Sequence, residues 1–165
     1  AEPFQLQRCR IDDLLGEVLA QQPAAQRVSL YLAPSASAAA VHSEPLLLRT
    51  VLVNLIDNAL KYSPPSSTVQ MDVQLSTQDA RAGVRIQTQN AVGVAGAPDA
   101  AQVFEKYYRS PGAHQQSGSG LGLYIVKALA ERLGASIDCR QSAGWIVFDL
   151  WLPMECAHAD TTASG

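Results

Sequence analysis

The sequence predicts an α+β fold, a two-layer sandwich in which helices pack on a mixed, mostly antiparallel sheet. The 165 residues are enough to bury about two-thirds of the unfolded surface in one core without disulfides or metal. Short segments in which apolar and polar residues alternate indicate strands, and longer segments with an apolar residue every three or four positions indicate helices. We expect one domain over residues 1–153 and a disordered tail over 154–165, where no periodicity is present.

The first predicted elements are a strand, a helix and a second strand. Phe4 and Leu6 alternate with polar residues, which suggests a short edge strand. Residues 11–20 have an amphipathic pattern, and this helix should stop before Pro23. The alternation over residues 28–32 predicts the next strand.

A long helix follows a third strand, which is predicted over residues 38–41. Ser43 is the expected N-cap, because Glu44 and Pro45 then place a carboxylate and a proline in the first turn. The helix should run to about Tyr62, where a segment rich in serine and proline follows.

The middle of the chain is predicted as a hairpin followed by a loop. Two alternating strands over residues 69–75 and 84–88 are joined by a hairpin loop at 79–83. Residues 90–97 form a glycine-containing loop, and residues 98–104 are expected to form a short helix.

The last predicted elements are a helix and two strands. The apolar segment 121–133 should be helical and end at Gly134, a frequent residue just beyond a helix. Strands over 136–139 and 146–152 flank a turn at Ala143 and Gly144.

The composition argues against several partners. The net charge is −3 and no stripe of lysine or arginine is present, so nucleic acid is not an expected partner. Three scattered cysteines without metal-ligand spacing indicate a reducing interior that holds no metal. No apolar run approaches the ~20 residues of a membrane helix. We expect a cytoplasmic domain without direct membrane contact. Because the chain does not begin with methionine, we expect it to be a fragment of a longer protein, and an inner-membrane anchor in that parent stays open.

One face of the long predicted helix carries Asn54, Asn58 and Lys61, opposite the apolar stripe. An amide oxygen can complete the coordination shell of Mg²⁺ that is already bound to phosphate, and lysine attracts phosphate. By itself, this arrangement also fits a solvated helix face with two ordinary asparagines. Asparagine is nevertheless a poor helix former, so helix propensity does not explain two asparagines within an otherwise strong helix.

Glycines alternate over Gly118, Gly120 and Gly122 immediately before the last helix. Glycine lets backbone N–H groups approach a phosphate closely, and a helix N-terminus favours negative charge. Glycine pairs also mark turns, so the pattern is weak evidence alone. Here it follows the segment 104–109 after a short polar loop.

These two segments resemble the asparagine box and the second glycine box of the ATP-binding domain of bacterial sensor histidine kinases. That family is related to gyrase, the mismatch-repair ATPases and a heat-shock chaperone, and the resemblance runs from about Phe4 to Pro153. It implies the Bergerat type of α/β sandwich, with ATP and Mg²⁺ as cofactors. Residues 110–117 match a short mobile lid over the triphosphate.

The resemblance also implies roles for individual residues. Asn58 would bind the metal, and Asn54, the expected catalytic residue, would orient the metal's water shell or the incoming histidine. The residues expected to bind ATP are Asn54, Asn58, Lys61, Tyr62, Asn90, Gly93, Lys106, Tyr107, Arg109, Gly118, Ser119, Gly120, Leu121 and Gly122.

The first glycine box departs from the family pattern, which has an aspartate that accepts from the adenine amino group. Asn90 aligns with that aspartate, and Gly93 and Gly96 are displaced from the usual glycine positions. The amide carries no charge and offers a donor as well as an acceptor, so we expect weaker binding and less certain selection of adenine. Asp99 is expected to cap the short helix that follows.

None of His42, His114 and His158 has the sequence context of the histidine that such kinases phosphorylate. The expected partners are therefore a separate dimerisation and histidine-phosphotransfer domain and the receiver domain of a response regulator. The alternative is a degenerate kinase domain that senses ATP, ADP or a cyclic dinucleotide without transfer. Gyrase-like and mismatch-repair ATPases usually have a glutamate where Asn54 stands, which argues against hydrolysis to solvent.

Overall fold

The computed structural model describes residues 6–94, 96–109 and 120–154. Three helices and seven strands lie in these residues. They are β1 (Gln7–Arg10), α1 (Ile11–Ala20), β2 (Val28–Leu32), β3 (Ala40–Ser43), α2 (Pro45–Tyr62), β4 (Val69–Gln78), β5 (Arg81–Ala91), α3 (Gly122–Arg132), β6 (Ser136–Ser142) and β7 (Trp145–Pro153).

Five strands form the main sheet in the order β2-β4-β5-β7-β6. Only β2 and β4 are parallel, and the other neighbours are antiparallel. β1 and β3 form a separate antiparallel pair. α2 contacts α1, α3 and β5, so the helices cover the sheet and the core lies between the two layers. The predicted α+β sandwich is confirmed.

Burial in the core explains why apolar and polar residues alternate along the strands. Along β5, the inward-facing residues Val84, Ile86, Thr88 and Asn90 are all buried. The inward-facing residues of β7 are buried as well. Thr88 and Asn90, the last inward-facing residues of β5, therefore lie under the helices and not in solvent.

The start of α2 differs from the prediction. Glu44 is the N-cap, and its Oε2 accepts a hydrogen bond from the backbone N–H of Leu47 at 2.9 Å. Ser43 is buried in β3 and pairs with Gln7, so its extended backbone belongs to the strand. The strand pairing therefore places the start of the helix one residue later than the local sequence suggests.

Arg27 anchors the other end of α2. Its guanidinium donates to the carbonyl oxygens of Leu60, Pro64 and Ser67 and to the hydroxyl of Ser63. The carbonyls at a helix C-terminus have no partners within the helix, and this arginine supplies one. The last turn of α2 is thereby fixed to the segment before β2.

Several other boundaries were predicted correctly, and some were not. α1, β2 and the turn at Ala143 and Gly144 lie where they were expected. The first strand is Gln7–Arg10 and not at Leu6, and the third is shifted to Ala40–Ser43. Phe4 and residues 155–165 of the expected tail lie outside the described residues. Met154, the first residue of that tail, is ordered: it accepts a hydrogen bond from the N–H of His42 and donates one to the carbonyl of Ala82.

The expected short helix over residues 98–104 does not form. The segment makes consecutive turns instead. Gln102 donates to the carbonyl of Asp99, and Glu105 donates to that of Gln102. Asp99 does cap this segment, since its Oδ1 accepts from the backbone N–H of Ala101 at 2.9 Å. Within the described ranges, no helix is long and apolar enough to cross a membrane.

Candidate nucleotide-binding site

A cavity of about 380 Å³ opens between α2, the start of α3 and the ends of β5 and β7. Its volume is in the range of small-molecule pockets, roughly 300–1,000 Å³. It is lined by Asn54, Asp57, Asn58, Lys61, Tyr62, Asn90, Gly96, Pro98, Val103, Tyr108, Arg109, Gly120, Leu121, Gly122, Leu123, Ile125, Ile146 and Phe148.

The polar wall of the cavity is one face of α2. Asn54, Asn58 and Lys61 lie three or four residues apart and line the cavity together, as the helical period requires. The Nδ2 of Asn54 donates to the carbonyl oxygen of Thr50 at 2.8 Å, which fixes the amide and leaves its Oδ1 as an acceptor on the other side.

The Oδ1 of Asn54 lies against the start of α3. A Cβ atom placed on Gly122 would lie 3.1 Å from this oxygen, closer than ordinary van der Waals contact. The glycine at this position therefore lets α3 approach the asparagine face of α2. The N-terminus of α3, with its positive dipole end, reaches the same cavity.

Asp57 also lines this wall, and it was not among the predicted site residues. Its Oδ1 accepts a hydrogen bond from Nε2 of Gln22 at 2.6 Å, which connects α2 with the residues after α1. The spacing from Asn54 to Asp57 and on to Lys61 is helical, so the same periodicity that identified the asparagines could have identified it.

The opposite wall is apolar. Val103, Tyr108, Ile146 and Phe148 line it, and Phe104 packs edge-on against Phe148 with ring centroids 6.0 Å apart. A planar, weakly polar group such as a nucleobase can lose its hydration here and gain dispersion contacts. The cavity therefore has a polar end at α2 and an apolar end at β7.

Asn90 is the polar group of the apolar end and is only 1% exposed. Its Nδ2 donates to the carbonyl oxygen of Ala91 at 2.9 Å. This bond orients the amide, because the opposite orientation would place two oxygens against each other. Thr88, two residues earlier on the same face of β5, is fully buried, and its hydroxyl has no hydrogen-bond partner among the residues that the structure describes.

Backbone geometry holds the glycine-rich segment beside the cavity. Gly120 has a φ of +73°, and a Cβ there would lie 2.7 Å from the carbonyl carbon of Tyr107. Glycine is required for both reasons. The carbonyl of Gly120 accepts a hydrogen bond from the N–H of Tyr107, so two segments distant in sequence meet at this point.

Most of the predicted nucleotide-binding residues that the structure describes lie together in this cavity. Gly93, Lys106 and Tyr107 are not among the residues that line it. A Cβ on Gly93 would lie 2.5 Å from the carbonyl oxygen of Tyr62, so this glycine permits close packing of the loop on the end of α2. The ammonium of Lys106 lies 5.2 Å from the ring centroid of Tyr107. Gly118, Ser119 and the expected lid over 110–117 lie outside the described residues.

The cavity also includes residues that the sequence did not reveal. Tyr108 lines it, whereas the neighbouring Tyr107 was the tyrosine expected there. Gly96 and Pro98 contribute from the loop after β5, and Ile125 from α3. An aromatic pair and a loop of small residues carry no periodic signal, so nothing local could have shown which of them face the site.

The family model for histidine kinase-, DNA gyrase B- and HSP90-like ATPases matches residues 43–155 of this chain. The chain is 39% identical over 98 residues to the swarming motility regulation sensor protein RssA of Serratia marcescens, covering 59% of this chain and 20% of RssA. It is 41% identical over 96 residues to the sensor protein QseC of Escherichia coli (strain K12), covering 58% of this chain and 19% of QseC. The chain thus spans about a fifth of the length of these relatives.

Solved structures show the same fold. The mycobacterial sensor histidine kinase MprB superposes with a TM-score of 0.69 at 21% identity, covering 91% of this chain and 99% of that one. Full-length ShkA in complex with AMPPNP superposes with a TM-score of 0.68 at 26% identity, covering 95% of this chain and 33% of that one.

Proposed function

The chain belongs to the family of histidine kinase-, DNA gyrase B- and HSP90-like ATPases, and we propose that it binds Mg²⁺·ATP and transfers the γ-phosphate to a histidine on a separate domain. One observation carries the proposal. The asparagine face of α2 meets the N-terminus of α3 across a cavity whose other end is apolar. A triphosphate with its cation fits the first part, and a purine base fits the second.

The residues at the polar end fit Mg²⁺. Among the described residues, no three His, Cys, Asp or Glu side chains form a metal cluster. Mg²⁺ in nucleotide sites is held by phosphate oxygens and water with one or two protein oxygens. Asn58 would provide the protein oxygen, and the fixed Oδ1 of Asn54 would accept from a water of the shell. When bound, the cation neutralises charge on the β- and γ-phosphates.

The phosphates would be held by charge and by backbone dipoles. Lys61 and Arg109 line the cavity and are proposed phosphate contacts. Lys106, which is not among the lining residues, is a third proposed contact. The backbone of the segment Gly118 to Gly122 would bind the phosphates through N–H groups at the start of α3. Catalysis would then consist mainly of positioning and charge stabilisation, with Asn54 as the catalytic residue near the incoming histidine.

The base would lie between Tyr62 and the apolar wall, with its amino edge at Asn90. The Ala91 carbonyl already uses one N–H of this amide, so its Oδ1 is the group that can accept from adenine. The amide oxygen of Asn90 would thus accept the hydrogen bond that the family's aspartate accepts from adenine, but without a negative charge. Gly93 would act indirectly, through the packing of the loop on Tyr62.

The partners follow from the proposed reaction. The phosphate would pass to a dimerisation and histidine-phosphotransfer domain of the same parent protein, and from there to the receiver domain of a response regulator. The domain would occupy residues 1–153 and lie in the cytoplasm, with its parent anchored in the inner membrane.

Two measurements test the proposal. Calorimetric titration with ATP, ADP and GTP, each with and without Mg²⁺, should show binding of ATP that Mg²⁺ strengthens. With γ-labelled ATP, the chain should label a dimerisation segment of its parent in trans and should not label itself. Binding without transfer would refute the kinase reaction, and acid-labile label on His42, His114 or His158 would refute the assignment of the acceptor to another domain.

A further inference from the structure

The loop after β5 forms one wall at the base end of the cavity, and its described residues are 92–94 and 96–99. It contributes Gly96 and Pro98 to the lining, and Gly93 packs on the end of α2. Val92 donates to the carbonyl of Gly144, and Gly96 donates to that of Gly93. Val94 is 92% exposed, so apolar packing does not hold this part of the loop. A segment with little buried surface opens at low free-energy cost unless a specific contact holds it.

Tyr108 makes such a contact. Tyr108 lines the cavity, and its hydroxyl oxygen accepts a hydrogen bond from the backbone N–H of Asp99 at 2.8 Å. The carboxylate of Asp99 is engaged separately with the N–H of Ala101. The tyrosine therefore holds the main chain of the loop immediately after Pro98, independently of the side chain at position 99.

Tyr107, the residue before Tyr108, holds the end of the site at the start of α3. The N–H of Tyr107 donates to the carbonyl of Gly120, beside the start of α3. The main chain of Tyr107 thus fixes the glycine-rich segment, and the side chain of Tyr108 fixes the loop at the base end. Since the two residues are adjacent, the two walls have a fixed position relative to each other.

We propose that Tyr108 is a positioning residue for the nucleobase, whose hydroxyl keeps the loop at Gly96 and Pro98 closed on the base end of the cavity. This inference rests on the proposed function, because it assigns the apolar end to a purine. The groups proposed for the phosphates are on α2, at the start of α3 and at Lys106 and Arg109, and none of them takes part in this hydrogen bond. Loss of the hydroxyl should therefore weaken contacts with the base and leave those with the triphosphate unchanged.

The variant Tyr108→Phe tests this directly, because it removes only the hydroxyl that accepts from Asp99 and retains the aromatic ring. Loss of one neutral hydrogen bond should raise the Kd for Mg²⁺·ATP about fivefold. The Kd for tripolyphosphate with Mg²⁺ should stay within about twofold of the parent value, since this probe lacks a base. Tyr31→Phe is the matched control, because Tyr31 is 51% exposed on β2 and does not line the cavity.

Amide exchange gives a second readout that a general loss of stability would not produce. The amide of Asp99 should exchange faster in Tyr108→Phe, while the amides at the centre of β5 remain as protected as in the parent. Unchanged exchange at Asp99, an unchanged Kd for ATP, or an equal loss for ATP and tripolyphosphate would each overturn the inference. If the parent bound no Mg²⁺·ATP, the proposed function would fail and the inference with it, whereas an ATP-binding parent with an unaffected variant refutes the inference alone.

Discussion

The backbone nitrogen of Tyr107 donates a hydrogen bond to the carbonyl oxygen of Gly120 at 2.9 Å. Both residues have positive φ, 66° at Tyr107 and 73° at Gly120. The strained tyrosine turns the chain at the edge of the cavity, and the glycine allows the second segment to lie directly against it. This contact fixes the start of α3 beside the asparagine face of α2.

Gly120→Ala should be more destabilising than Gly144→Ala. Both glycines have positive φ, but a Cβ on Gly144 would meet no atom of the described residues within 4 Å. Gly144→Ala therefore costs only the backbone strain, about 1 kcal/mol. At Gly120 the Cβ also collides with the backbone of Tyr107, which should bring the total to about 3 kcal/mol. Urea denaturation of both variants measures the difference, and equal losses would show that the contact is not close.

Asn58→Ala should fold like the parent and lose Mg²⁺-dependent affinity for ATP. The side chain lines the cavity and not the core, so its removal leaves no buried void. Loss of one metal contact should cost on the order of 2 kcal/mol of binding free energy. Titration of the variant in EDTA is the internal control, since parent and variant should then bind ATP alike. Equal affinity in the presence of Mg²⁺ would refute the assignment of the metal ligand.

Asn90→Asp should lower the stability of the free protein and increase its stabilisation by ATP. A carboxylate oxygen in place of Nδ2 would face the Ala91 carbonyl at a buried position, which costs about 1–3 kcal/mol at neutral pH. The adenine amino group relieves this cost by donating to a charged acceptor, so ATP should bind up to about tenfold more tightly. Thermal shifts with ATP and GTP measure both effects. A smaller shift with ATP than the parent shows would place the base elsewhere.

Arg27→Ala should destabilise the protein by about 2–3 kcal/mol, because four hydrogen bonds to the end of α2 and to the segment after it are lost. Affinity for ATP should also fall, since Lys61 and Tyr62 lie in the turn that the guanidinium holds. Arg27→Lys should not restore either property, because an ammonium cannot reach all the acceptors. Arg49→Ala is the control, as its ion pair with Glu17 is on the surface and is worth less than about 1 kcal/mol.

Acid should remove the contribution of Asp149 to stability. Burial acts to raise the pKa of Asp149, but hydrogen bonds from Arg85 and Arg140 outweigh it and hold the pKa below its usual value. A carboxyl with a lowered pKa stabilises the folded state above its unfolded pKa of about 3.9 and loses that effect as the pH falls. The parent should therefore be more stable than Asp149→Asn at pH 7, and the difference should begin to shrink below about pH 4 and disappear only below the lowered pKa of the folded state. A constant difference over this range would contradict the assignment.

Local signals in the sequence were sufficient for several elements. The amphipathic period of α1 ends before Pro23, and both of its bounds were predicted correctly. The same period placed Asn54, Asn58 and Lys61 on one face, and all three line the cavity. These predictions concern a single helix, whose geometry fixes the direction of each side chain.

Where local and long-range preferences disagreed, the long-range contact prevailed. Ser43 is a favourable N-cap by type, but its pairing with Gln7 keeps it in β3 and leaves the cap to Glu44. Residues 98–104 have a helical start signal at Asp99, but they form turns, and the hydroxyl of Tyr108 holds the main chain there.

The sequence by itself determined the fold class, the asparagine face of α2 and the glycine-rich start of α3, because periodicity and glycine placement are properties of short segments. Only the tertiary structure decided that Tyr108 and not Tyr107 lines the cavity, and that the amide of Asn90 bonds to Ala91. Which of two adjacent aromatic side chains faces a site depends on a positive φ and on a contact with a distant glycine, and neither leaves a pattern in the local sequence.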